Sequence, residues 1–154
     1  MNQRLIIVFF VTCLLFTGCT SETDLEQATE FYREYSDLLI EDVESALTNY
    51  VFYKNEADLQ WALSASEIKT LSYEIINISE LHDELWAINV WMSTSLEPDG
   101  FIFYNFVAKI DNRYYVITNP DNIPDDLKLD IDFSPYYYPD ALSPNEVFDI
   151  IKQE

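Results

Sequence analysis

The sequence predicts an α+β domain: a long N-terminal helix and a short second helix packed on a curved antiparallel sheet of about four strands, with a short C-terminal helix. Two observations of pattern predict it. Between residues 24 and 50 the apolar residues recur every three or four positions, and from residue 68 onward the period falls to two. A third observation is composition: 154 residues, 49% hydrophobic and 16% aromatic, can build one core and fit one domain.

The long helix is read over 24–50. Thr23 and Glu26 have the spacing of a capping box. Leu25, Ala28, Tyr32, Tyr35, Leu39, Val43, Ala46 and Tyr50 form one apolar face. The opposite face is acidic, with Glu26, Glu30, Glu34, Asp37, Glu41 and Glu44 against a single base, Arg33. Such a face is a solvated surface before it is a cation-binding stripe. The second helix is read over 55–66, capped by Asn55, with Leu59, Ala62 and Leu63 inward and Trp61 assigned to the core.

Four strands follow. Residues 68–78 alternate until Ile75–Ile76, where a bulge shifts the faces. Residues 85–95 form the second strand, and a turn at 97–100 leads into the third, 101–110. The pair Asp111-Asn112 reads as a two-residue hairpin before a fourth strand, 113–118. That hairpin fixes a register: Ile110 opposite Arg113, Lys109 opposite Tyr114, Ala108 opposite Tyr115, Val107 opposite Val116, Phe106 opposite Ile117 and Asn105 opposite Thr118. Residues 119–133 read as irregular and acidic. Ser143, Pro144 and Glu146 open a last helix that Val147, Ile150 and Ile151 would dock on the body.

The first nineteen residues decide where the chain works. Arg4 precedes an uncharged run, 5–16, about 18 Å long as a helix and too short for the ~30 Å hydrocarbon core. A basic start, a short apolar run and small residues make a secretory signal pattern. Phe16-Thr17-Gly18-Cys19 resembles the lipobox of bacterial lipoproteins, with Phe16 standing where Leu is usual. The resemblance implies removal of residues 1–18 by cleavage between Gly18 and Cys19. It also implies a diacylglycerol, and often a palmitate-type acyl chain, on Cys19. Two or more acyl chains anchor a protein stably where one does not. Residues 19–23 are then a lipidated Cys and short spacer, and 24–154 a single domain. The expected location is the extracytoplasmic side of a bacterial cell membrane. Cys13 leaves with the signal, so the mature chain has one Cys and no internal disulfide. Its formal charge moves from −20 to −21 as Arg4 is lost.

The order of elements, with segments such as "ALTNYVFYKNEADLQWAL" and "YNFVAKIDNRYYVITNP", resembles small lipoproteins carrying a nuclear transport factor 2-like or cystatin-like domain. The resemblance covers about residues 24–119 and implies the fold. It implies no activity, because members of that superfamily include enzymes, binding domains and bare scaffolds.

Composition limits the function. A charge of −20 argues against nucleic acid as a partner. Two glycines leave no phosphate-binding loop, and no cofactor is expected. His82 is the sole histidine and is read as an exposed turn residue, which argues against a catalytic set or zinc site. The expectation is therefore not an enzyme. It is a non-catalytic binding or interaction domain at the envelope, membrane-bound through its lipid, meeting an envelope protein or a cationic or peptide ligand. The alternatives are a homodimerising immunity or interaction protein, and a small enzyme of the same superfamily with an acidic pocket. Asn89, Asn105 and Thr118, with Trp91, Phe103 and Tyr114, are the candidate ligand or dimer face. Tyr136, Tyr137 and Tyr138 are candidate surface aromatics. Asp121, Asp125, Asp126, Asp130 and Asp132 make an acidic loop that is a weak candidate for calcium, lacking the EF-loop spacing, so no metal is assigned.

Overall fold

A computed structural model describes residues 23–64 and 66–137. The signal segment, Cys19 and its cleavage site at Gly18, Tyr138, and the helix expected from Ser143 lie outside the described residues, as does the Tyr137 side chain.

Helix α1 spans Asp24–Glu41. Its capping box is formed: the Thr23 hydroxyl accepts from the Glu26 amide at 3.3 Å, and the Glu26 carboxylate accepts from the Thr23 amide at 2.8 Å. The single helix expected over 24–50 is two helices. Asp42 leaves helical geometry, with φ −150°, and caps α2, Val43–Tyr50. Its carboxylate accepts from the Ser45 amide at 3.1 Å and the Ser45 hydroxyl at 2.7 Å. A short acidic side chain offers the backbone a local partner and ends the run. The apolar spacing continues across the break, so periodicity alone does not register it.

Helix α3 spans Glu56–Ser64. Asn55 caps it by accepting from the Asp58 amide at 3.0 Å. No residue of α3 is buried, and Trp61, expected in the core, is 76% exposed. The size and apolarity of a side chain do not by themselves fix the direction in which it points.

The sheet is an antiparallel meander in the order β1-β2-β3-β4. Its strands are β1 Thr70–His82, β2 Leu85–Thr94, β3 Phe101–Ile110 and β4 Arg113–Ile117. The β3–β4 register is as expected from Ile110–Arg113 through Phe106–Ile117. Asp111 and Asn112 turn the hairpin with φ of 51° and 62°, the left-handed pair that fits strand twist. The strand ladder stops at Ile117, so Asn105 and Thr118 do not pair. The bulge near Ile75–Ile76 is present as a register shift between Ile75 and Asn77. Strand β1 runs on to His82, which pairs with Leu85.

Two layers bury the sheet from opposite sides. On the front, α1 and α2 bring Ala28, Tyr32, Tyr35, Leu39 and Ala46 onto Trp86, Ile88, Val90, Val107 and Val116. On the back, Leu85, Ala87, Phe106, Ala108 and Ile117 are covered by Ile123, Leu127, Phe133 and Tyr136. The covering segment is the tail read as irregular. It folds into 3-10 turns at Pro120–Asn122 and Asp125–Leu127 and a short helix, α4, Ser134–Tyr137. Strand β2 is thus apolar on both faces, and Trp86 and Phe106 are fully buried. Side chains of this size contribute roughly 1.5–3 kcal/mol each. Beyond β4, Val51 forms a single parallel bridge to Val116, with the Phe52 amide donating to the Val116 carbonyl at 2.9 Å. Among the described residues no helix is long and apolar enough to cross a membrane.

Candidate functional site

The register divides the expected polar-aromatic face. Ile88 pairs with Asn105 and Val90 with Phe103, so Asn105 and Phe103 lie on the front, beneath the helices. Asn89 pairs with Tyr104, and Tyr104 packs against the back layer. Asn89 and Trp91 therefore share the back face. Tyr114, opposite Lys109 on β4, is on the front. Thr118 lies just past β4 and is exposed. No cone lined by Asn89, Asn105 and Thr118 exists, and the six residues share no single face. Successive positions in a strand alternate sides, so Asn89 and Asn105 could have met only if the β2–β3 pairing were shifted by one residue.

Each front residue of this set has a definite job instead. The Asn105 amide donates to the Tyr32 hydroxyl at 2.8 Å in the buried core. Burial pushes the Tyr32 hydroxyl well above its ordinary pKa. Phe103 packs on Phe101 with ring centres 5.2 Å apart. The Tyr114 hydroxyl donates to Asp24 at 2.9 Å and lies 3.1 Å from the Gln27 side-chain oxygen. On the back, Trp91 lies against Gly100, where φ is +77° and any Cβ would overlap the indole ring. Glycine is required there for both conformation and space.

Tyr114 belongs to a clamp that fixes the start of α1. Asp24 accepts from Lys109 at 2.7 Å and from Tyr114, joining the first helical turn to both sides of the β3–β4 hairpin. The lysine hydrogen bond, and then that of Tyr114, holds the Asp24 carboxyl below the usual carboxylate range. In return Asp24 holds Lys109 above its ordinary value. The other end of α1 is pinned by Tyr73, whose hydroxyl donates to Asp37 at 2.8 Å. Burial, and then that carboxylate, pushes Tyr73 up to about 12.

The acidic loop does not converge. Asp125 meets Lys54 at 3.5 Å, and Lys128 donates to the Asp121 carbonyl at 3.1 Å. Asp132 accepts from the Ser134 amide at 2.9 Å. Hydrogen bonding from the Ser134 side chain, and then from that amide, holds the Asp132 carboxyl below the usual range. Asp126 and Asp130 are exposed, the latter with φ +62°. Among the described residues no three His, Cys, Asp or Glu side chains gather as metal ligands. His82 is exposed at the end of β1, its Nδ1 accepting from the Glu84 amide at 3.4 Å. Tyr136, expected at the surface, packs edge-on against Tyr104 and Phe106 with ring centres 5.0 and 5.7 Å apart. It is part of the back core.

The surface that sequence reasoning missed is at the end of the sheet away from the clamp. Leu71 is 52% exposed and Leu96 68% exposed. Leu71 sits in a register shift between Thr70 and Ser72, and Leu96 in the turn after β2. A bulge or turn breaks the period-two rule, so exposure at these positions could not be read from alternation. Beside them the elbow between α1 and α2 forms an open cleft of about 380 Å³, with Ile40 and Val43 among the lining residues and Glu41, Asp42 and Glu44 around them.

With helices and a tail layer enclosing a four-stranded meander, the described residues define an α+β fold. No family model matches the chain, and no curated protein or solved structure matches it.

Proposed function

We propose that this chain is a lipid-anchored extracytoplasmic lipoprotein whose domain binds a partner at the bacterial cell envelope without catalysis. The lipobox-like Phe16-Thr17-Gly18-Cys19 supports the anchor. The observation that carries the rest of the reading is the clamp at Asp24, five residues after Cys19. Five extended residues reach only about 17 Å. A tether that short, entering the domain at a fixed point, gives the domain an orientation. The Lys109–Arg113 hairpin end then lies toward the bilayer, and the elbow end, with its apolar side chains, points away from it. The domain's resemblance to nuclear transport factor 2-like and cystatin-like scaffolds is carried by its element order. The dimer reading has less support, because Phe103, Asn105 and Tyr114 are taken up under the helices.

The test is Cys19→Ala in the full chain. The variant is expected in the soluble extracytoplasmic fraction, with a gel shift reflecting lost acyl mass. A variant that remains in the membrane fraction with unchanged mobility refutes the anchor.

A further inference from the structure

The end of the domain opposite the clamp is built around one backbone contact. The Ser95 amide donates to the Lys69 carbonyl at 2.8 Å, and the Lys69 amide donates to the Ser95 hydroxyl at 3.1 Å. Exposed apolar residues lie near that contact in sequence, in strand register or along the elbow cleft. Ile68 and Leu96 flank it in sequence, and Leu71 follows the Thr70–Thr94 pair. Phe101, 41% exposed, pairs with Met92 two residues before Thr94. Ile40, 43% exposed, lines the elbow cleft together with Lys69. Single exposed apolar residues are ordinary; here five fall toward one end of a small domain, which makes that end a candidate contact surface.

The rim of this surface selects its occupant. Glu41, Asp42 and Glu44 stand along the cleft, against Lys69 as its one base. A second cleft of about 230 Å³, on the α2 side, is again flanked by Asp42 and Glu44. A second copy of the chain would bring −20 against −20, which opposes self-association through this end. A partner segment with apolar side chains set among Lys or Arg would satisfy both parts of the surface, the apolar contacts by burial and the acidic rim by charge complementarity.

We propose that this end of the domain is a docking surface for a basic, amphipathic segment of another envelope protein. The proposal rests on the reading of the chain as an envelope-anchored binding domain. Leu71 and Leu96 are replaced in turn by the photoreactive residue benzoylphenylalanine in the full chain, in the cells that make it, with Leu129 as a control position on the tail. After irradiation, membrane and soluble fractions are separated and the crosslinked peptides sequenced. The expected result is one protein captured from positions 71 and 96 but not 129, through a peptide rich in Lys or Arg with apolar residues between. Its yield should fall on the order of tenfold when Glu41→Lys and Glu44→Lys are added. Capture of a second copy, of lipid, or of an uncharged or acidic segment overturns the proposal. So does equal capture at position 129, no capture at all, or a yield indifferent to the charge reversals. The fractionation of the same samples reports separately on the anchor, so failure of the docking surface is not confused with failure of the tether.

Discussion

The Asn105 side-chain amide donates a 2.8 Å hydrogen bond to the Tyr32 hydroxyl, joining β3 to α1 through the centre of the front core. Tyr32 is fully buried and Asn105 is 2% exposed. Neither group has water to fall back on.

Tyr32→Phe removes the acceptor and strands a buried amide donor. It is expected to cost about 1–3 kcal/mol. Adding Asn105→Leu to Tyr32→Phe removes the stranded group and should recover part of the loss. Urea midpoints of the two variants and the wild type check this. A Tyr32→Phe midpoint equal to the wild type would mean that the amide finds another partner.

Gly100→Ala should destabilise through two separate effects. The residue sits at φ +77°, and its new methyl would overlap the Trp91 ring. Backbone strain and overpacking together amount to roughly 2–4 kcal/mol. The near-ultraviolet circular dichroism of the indole should change with stability. A stable variant with an unchanged spectrum would show that Trp91 can move away at no cost.

The clamp at Asp24 predicts a defined pH window. The carboxyl's folded pKa is lowered, so its contribution is present above the unfolded value of about 3.9 and lost as pH falls through the folded value. The folded pKa of Lys109 is raised, so its contribution is present below about 10.4 and lost as pH rises through the folded value. Both partners therefore favour the fold between roughly pH 4 and 10. In a carbon-detected titration the Asp24 carboxyl should have its midpoint below about 3.9, and Lys109→Met should move it upward. A midpoint unaffected by Lys109→Met would break the assignment.

Trp61→Ser should change stability by less than about 0.5 kcal/mol, because the ring is 76% exposed and α3 has no buried residue. Collisional quenching should find one tryptophan open to solvent, and the substitution should remove that component. A loss above about 1 kcal/mol would place Trp61 in a packed environment after all.

Period and turn chemistry make the sheet legible in the sequence. Asp111-Asn112 sets the β3–β4 register, and Ile75–Ile76 marks the bulge. These signals are local, and the geometry they report is local too. The break at Asp42 is not legible from hydrophobic spacing, because a side-chain cap leaves that spacing intact. The back layer is not legible because Ile123, Leu127, Phe133 and Tyr136 follow no repeat; they are spaced by 3-10 turns and loops. The candidate polar face fails on parity. Residue type groups Asn89 with Asn105, but the β2–β3 register places them on opposite sides.

Asp24 reaches across 85 and 90 residues to Lys109 and Tyr114, whereas each hairpin of the sheet closes over a short turn. Contacts between distant partners carry a loop-closure entropy cost that must be met before they stabilise anything. A chain emerging N-terminus first would present Asp24 early and complete the clamp only after the β3–β4 hairpin had appeared. Chains halted before residue 109 should leave residues 24–30 open to protease, and chains halted after residue 137 should protect them. Protection in the shorter chains would show that α1 seats without the clamp. Protection confined to the longer chains would make the start of α1 one of the earliest parts of the protein made and one of the latest to become rigid.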